Sequence, residues 1–333
     1  MTRKTLHALV AIVVGLVLLL FVMQRVDRDE IVVARSELLP DLQSVADSLT
    51  ELTIAQPGGE ESVTLHRREG QWVVSARGDY PADIGKLKEL IIALAYAHIV
   101  EEKTSNPEQY AKLGVDDPED GGKGTRVVLS GPNVSYSVVL GNTALRDSRY
   151  ARIAEEATSY LIDRNPDIPQ TAGDWLMPDI VDIPSSSVRR AVISHTDGEI
   201  LTIEKSEQEQ TDFDVVGIPE GRELSYATVG NGIAAALDSL ELEDVQPLVD
   251  TPASGSAVFE TWEGLKVTAG IAKTDDDNFW VTFTAESTGE DAGVAEQADA
   301  INARVTGWQY ELADYKKNLL TRRWEDVLKA TGE

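Results

Sequence analysis

The chain opens on a run that does not alternate. Ala8 to Met23 is continuously apolar, and Leu6 with the weakly polar His7 lengthens it to 18 residues before Gln24 and Arg25 end it. At a rise of 1.5 Å per residue such a helix reaches about 27 Å, close to the ~30 Å hydrocarbon core of a bilayer. It offers no polar face, which argues against a buried helix of a soluble core. It is also longer than the ~7–15 residues of a signal-peptide core, and Val22 to Asp27 provide no small-residue cleavage site. Without cysteine, a lipoprotein anchor is excluded. The expectation is an uncleaved signal anchor that meets the lipid bilayer through residues 6–23. Arg3 and Lys4 precede it and Arg25 and Arg28 follow, a near tie by the positive-inside count. The short head favours an N-in orientation, with the bulk of the chain in the periplasm or otherwise outside the cytoplasm.

Beyond the anchor, Ile31 to Asp47 reads as a short strand or extended segment. A period of two then sets in: Leu52 and Ile54, Val63 and Leu65, Trp72 and Val74 alternate with polar residues, broken at Pro57-Gly58-Gly59 and Glu69-Gly70, which predicts three short antiparallel strands. Val192, Ile200, Ile203, Phe213 and Val215 repeat the plan around a turn at Asp197-Gly198. Each set leads into a period of 3.6. Ile84, Leu87, Leu90, Ile91 and Leu94 predict one helix, started by Pro81 with Asp83 in its first turn; Val229, Ile233, Leu237 and Leu240 predict a second, capped by Ser225. Hairpins are expected next, turning at Ser130-Gly131-Pro132-Asn133 and at Glu263-Gly264, with 149–162 and 278–286 extending the sheets. Each copy closes on a Trp-containing helical piece. A period of about 130–140 residues is too long for a solenoid and points to paired modules.

The expected fold class is therefore α+β: an N-terminal transmembrane helix, then two similar modules of antiparallel strands, each packed by an amphipathic helix, an internal duplication. The anchor and its flank take residues 1–30, the first module 31–183 and the second 184–333, with Pro184 to Ser187 as linker. The balance of 57 acidic against 30 basic side chains, net −27, repels phosphate backbones and excludes nucleic acid as a partner.

Several of these segments resemble the bacterial domain-of-unknown-function 4340 family. The matching positions are Leu38-Leu39-Pro40, Trp72, Pro81-Ala82-Asp83, and Tyr110 with Leu113, Gly114 and Pro118, within residues 38–165; the second half follows by pattern. The resemblance implies a single N-terminal anchor, no assigned activity, and an accessory role beside ABC-type transporter components. It implies no catalytic residues.

The residues themselves name no reaction. His7, His66, His98 and His195 are dispersed, with no His-Glu-x-x-His and no cysteine, so no zinc site is expected. No Gly-x-Ser-x-Gly occurs, and Ser254 and Ser185 to Ser187 read as loop residues. Residues 121–125, Gly-Gly-Lys-Gly-Thr, lack the upstream glycine and the following helix of a phosphate loop. The acidic turns from Asp116 and from Thr274 do not have EF-hand spacing. Trp262, Phe279 and Trp280 gather near one hairpin, where alternation sends Phe279 and Trp280 to opposite faces. Catalytic, cofactor and metal residues are thus expected to be none. The reading is a non-catalytic binding, scaffolding or accessory protein of a cell-envelope complex with a protein partner; the alternatives are an anchored envelope hydrolase using paired carboxylates and a purely structural spacer.

Overall fold

A computed structural model of the chain describes residues 36–57, 62–273 and 279–330. The apolar run from Leu6 to Met23 and the acidic turn from Thr274 lie outside these residues. Among the described residues no helix is long and apolar enough to cross a membrane.

The fold is α+β, built on two nine-stranded antiparallel sheets. The chain enters through a short helix α1 (Leu42–Val45) and a 3-10 turn (Ala46–Ser48). This corrects the extended reading of the end of segment 31–47: Leu38, Leu39, Leu42 and Leu49 are all buried, and a helical turn brings them to one side. The first sheet comprises β1 (Glu51–Ala55), β2 (Val63–Arg68), β3 (Gln71–Val74), β4 (Tyr80–Pro81), β5 (Ile99–Glu102), β6 (Thr125–Gly131), β7 (Val134–Thr143), β8 (Arg149–Ile153) and β9 (Ser159–Ile162). Helix α2 (Ile84–Ala95) crosses between β4 and β5, and α3 (Tyr110–Leu113) between β5 and β6. Asp83 is the cap of α2, accepting from the Gly85 and Lys86 amides, while Pro81 belongs to β4 and not to the helix. Leu87, Leu90 and Leu94 form its buried stripe, the i, i+3, i+7 spacing that periodicity demands.

The second sheet contains β10 (Asp179–Val181), β11 (Val188–His195), β12 (Ile200–Glu204), β13 (Asp214–Val216), β14 (Leu240–Pro247), β15 (Ala253–Thr261), β16 (Leu265–Lys273), β17 (Phe279–Ser287) and β18 (Trp308–Leu312). Helix α4 (Val229–Ala234) is shorter than the periodicity predicts. Gly230 and Gly232 weaken it, it tightens into a 3-10 turn over Ala235–Leu237, and Leu240 and Leu242, alternating with Glu241 and Glu243, belong to strand β14. Ser225 caps nothing; its amide and hydroxyl both donate to the Val327 carbonyl. The longest helix, α5 (Ala292–Val305), was not legible as one. Its stripe of Val294, Ala298, Ile301 and Val305 is thin, and it packs on β16, β17 and β10. Two further helices, α6 (Asp314–Leu320) and α7 (Trp324–Val327), close the chain.

The two sheets share one topology. The first runs β4-β3-β2-β1-β6-β7-β8-β9-β5, the second β10-β14-β18-β17-β16-β15-β11-β12-β13. With the second order reversed, β3-β2-β1-β6-β7-β8-β9-β5 matches β13-β12-β11-β15-β16-β17-β18-β14, strand for strand. Only β4 and β10 are extra, and they are where the sheets meet. Leu176 bridges to Ala82, and the Met177 amide donates to Pro81 at the end of β4, after which the chain turns into β10 on the edge of the second sheet. Strand β10 precedes the tight Pro184–Ser187 turn yet pairs with β14. Of the four edge strands, β4 thus meets the connector at Leu176 and Met177 and β10 joins the second sheet beside β14, while β5 and β13 form the other two edges.

Candidate functional site

The seam between the sheets is aromatic. The Tyr80 ring meets Trp308 edge-on at 5.0 Å and Tyr310 at 6.2 Å, and Tyr310 continues to Phe283 at 6.0 Å. Beside it Gly78 adopts φ +67°, and a Cβ there would stand 2.5 Å from Pro247; glycine lets the two backbones close. Arg77 donates to Asp244 at 2.5 Å across the same seam. Burial pushes the phenols of Tyr80 and Tyr310 above their ordinary value, Tyr310 furthest, where the neighbouring Tyr80 hydroxyl adds to the rise and Arg304 opposes it. A phenol whose folded value is raised contributes stability that is complete below the unfolded value near pH 10. That contribution is lost above it at up to about 1.4 kcal/mol per pH unit per group. Urea midpoints should therefore fall more steeply above pH ~10 in the parent chain than in Tyr310→Phe. Parallel pH profiles for the two proteins would contradict this.

Over the seam lies a groove of about 1040 Å³. Its walls are α2, carrying Ile84, Leu87, Ile91 and Ile92, and α5, carrying Ala300 and Ala303; Trp72 from β3, Met177 from the connector and Trp308 from β18 complete it. Trp72, Ile91 and Trp308 are only partly buried against the core, and Ile92 is 56% exposed. Apolar and aromatic side chains left half open at the junction of two modules are the composition of a recognition surface.

No histidine, serine or threonine is among the groove's described lining residues. His66, Ser75 and Asp79 form a serine–histidine–aspartate row, with Ser75 Oγ 2.9 Å from His66 Nδ1 and Asp79 Oδ1 3.5 Å from His66 Nε2. Asp79, however, is taken by Arg68 at 2.6 Å, and Ser75 is exposed and does not line the groove. This arrangement ties β2 to the segment between β3 and β4.

The other residues singled out from the sequence stay apart. His98 sits 3.7 Å from Asp163, and His195 donates from Nε2 to the Arg322 carbonyl. Among the described residues no group of three or more His, Cys, Asp or Glu is placed to hold a metal. Gly124 of the glycine-rich stretch packs where a Cβ would meet Asp116 O at 2.5 Å and Val139 at 2.3 Å, a packing role. The acidic turn before it supplies Asp117, which accepts from Arg126 at 2.5 Å and Arg152 at 2.6 Å. Ser254 donates to the Ile271 carbonyl, and Ser187 to Pro184. Phe279 packs towards the core while Trp280 sits on the other face, as alternation requires; Trp262 lies under the Arg189 guanidinium.

The family-like positions fall at working points of this frame. Leu38 and Leu39 are buried, Pro40 accepts from the Tyr136 hydroxyl at 2.9 Å, and Trp72 reaches the groove. Tyr110 donates to Ala157, and Gly114, at φ +69°, ends α3 where the backbone turns left-handed. The groove itself escaped the sequence because it joins residues 46 to 308, and one of its walls is a helix with too thin an apolar stripe to be seen.

The fold is α+β on two nine-stranded antiparallel sheets, with a largely apolar groove at their seam. The chain belongs to the family described as domain of unknown function (DUF4340), which it matches over residues 72–257, from β3 through most of β15. No curated protein and no solved structure matches it.

Proposed function

We propose that this protein is a single-pass, membrane-anchored and non-catalytic binding component of a cell-envelope complex, holding a protein partner in the groove at its seam. The groove carries the reading: a cleft of 1040 Å³ whose half-exposed lining is apolar and aromatic. The strand-for-strand correspondence of the two sheets supports a duplicated module, and duplication places such a cleft between the copies.

Membrane attachment is supported by the run from Leu6 to Met23 and by where the described chain begins. Ser36 and Leu38 bond to Ile99 and Ala97, just beyond the C-terminal end of α2, one wall of the groove. Residues 24–35 can extend no further than about 40 Å, so a groove beside α2 lies within reach of a membrane-bound partner. The family resemblance makes an ABC-type transporter assembly the kind of complex expected.

Photocrosslinking from position 92 in native membranes tests the proposal. A discrete crosslinked partner, absent when the crosslinker is placed at the exposed Leu145 and lost when Ile91→Glu is added, is the expected result. A chain recovered alone from the soluble fraction without its first two dozen residues, or one that hydrolyses envelope glycans, would overturn it.

A further inference from the structure

The groove carries the wrong charge for its protein. In a chain with 57 carboxylates against 30 cations, Arg67, Lys88 and Arg304 line it. They come from three separate elements: β2, the second turn of α2 and the last turn of α5. Among the described residues none of the three is paired with a carboxylate. Arg67 donates to the main-chain carbonyls of Asp47 at 3.1 Å and Gly70 at 3.3 Å, Arg304 donates to that of Ile180 at 3.1 Å, and the Lys88 ammonium has no hydrogen-bond partner among the described residues. Two carboxylates share the lining, Asp47 and Asp79. Asp79 is neutralised by Arg68, which leaves Asp47 facing three cations. Carbonyl acceptors orient a guanidinium without cancelling its charge, so the lining's own side chains carry three positive charges against two negative on a molecule that is otherwise strongly acidic.

We infer that the groove's occupant is an amphipathic helix of the partner, with glutamate or aspartate flanking its apolar stripe. The inference rests on the preceding reading of the groove as a protein-docking site and specifies the chemistry of what docks. The walls suit a helix: α2 has 12 residues and α5 has 14, lengths of about 18 and 21 Å, enough to flank three to four turns laid in a groove. A lipid head group would concentrate its charge at one point, whereas cations from three elements match carboxylates spread along a helix. Opposite charges at a rim set partner choice and association rate more than raw affinity, which fits an accessory protein that must select one neighbour on a crowded membrane.

The test uses the full chain in phosphatidylcholine nanodiscs and two labelled helical peptides of about 15 residues with the same leucine stripe, one flanked by glutamates and its twin by lysines. Fluorescence anisotropy should show the glutamate peptide binding at least about tenfold tighter at ~0.02 M salt, with the ratio shrinking towards one near 1 M as screening sets in. Arg67→Glu with Lys88→Glu should reverse the preference. Lys88→Glu alone, at an exposed position whose ammonium has no hydrogen-bond partner among the described residues, should reduce it without altering the melting temperature. Equal binding of the twins would sink the charge inference while leaving the groove as a docking site. If neither peptide bound and phosphatidylglycerol vesicles did, both the inference and the protein-docking reading would fall.

Discussion

Replacing Tyr80 with alanine is expected to destabilise the protein by roughly 3–5 kcal/mol, the range for truncating a buried aromatic, a large share of the ~5–15 kcal/mol that holds a typical domain folded. Tyr80 is 1% exposed and stands where β4, the last strand of one sheet, meets β18 of the other. Its edge-on contacts with Trp308 and Tyr310 contribute about 0.5–1.5 kcal/mol each beyond the area they bury. The cavity left behind would open towards the groove, so the two sheets should lose their mutual support before either loses its own hairpins. Denaturation followed by tryptophan fluorescence should show a lower midpoint and a broadened or split transition. Tyr80→Phe, which keeps the ring, should retain most of the stability. An alanine variant no weaker than the phenylalanine variant would mean that the ring does not carry the seam.

A second large loss is expected from Arg152→Ala, again about 3–5 kcal/mol, because removing a buried guanidinium strips three main-chain carbonyls of their charged donor, at about 1–3 kcal/mol for each left unsatisfied, while Asp117 keeps Arg126. The Arg152 side chain is 4% exposed. It donates to the carbonyls of Val115 at 3.0 Å, Ala154 at 2.7 Å and Glu156 at 3.3 Å and to Asp117 at 2.6 Å, and it stacks over Tyr110 at 4.9 Å. One guanidinium therefore ties the β5–β6 loop to β8. Lysine cannot reproduce that fork, and Arg152→Lys should recover less than half of the loss. Thermal melts of both variants beside Asp117→Asn would check the assignment; full rescue by lysine would reduce Arg152 to a point charge.

These two positions show how far the sequence could be read. The strands around Leu52, Val63, Trp72 and Val192 and the hairpins after Ser130 and Glu263 were legible because alternation and turn chemistry are local properties. The helix over Ile84 to Leu94 was legible for the same reason. Leu240 fits the helical period yet lies in β14, because a single leucine satisfies both periods and only the Leu-Glu-Leu-Glu alternation that begins there separates them. The helix Ala292–Val305 was missed because alanine supplies part of its buried face, and small residues leave a weak periodic signal. The role of Asp117 is not legible in the acidic turn from Asp116, since nothing nearby in sequence reveals that Arg126 and Arg152 converge on it.

The sequence by itself determined where the chain turns, which face of each strand is apolar and that one pattern occurs twice, since each follows from the chemistry of neighbours a few residues apart. Tertiary structure alone decided that β1 lies beside β6, that β10 crosses into the second sheet, and that Trp72 and Trp308 frame one cleft. Those pairings join residues up to more than two hundred positions apart. A side chain's period records that it will be buried, but only closure of the whole fold selects what buries it and which cations are left beside the opening.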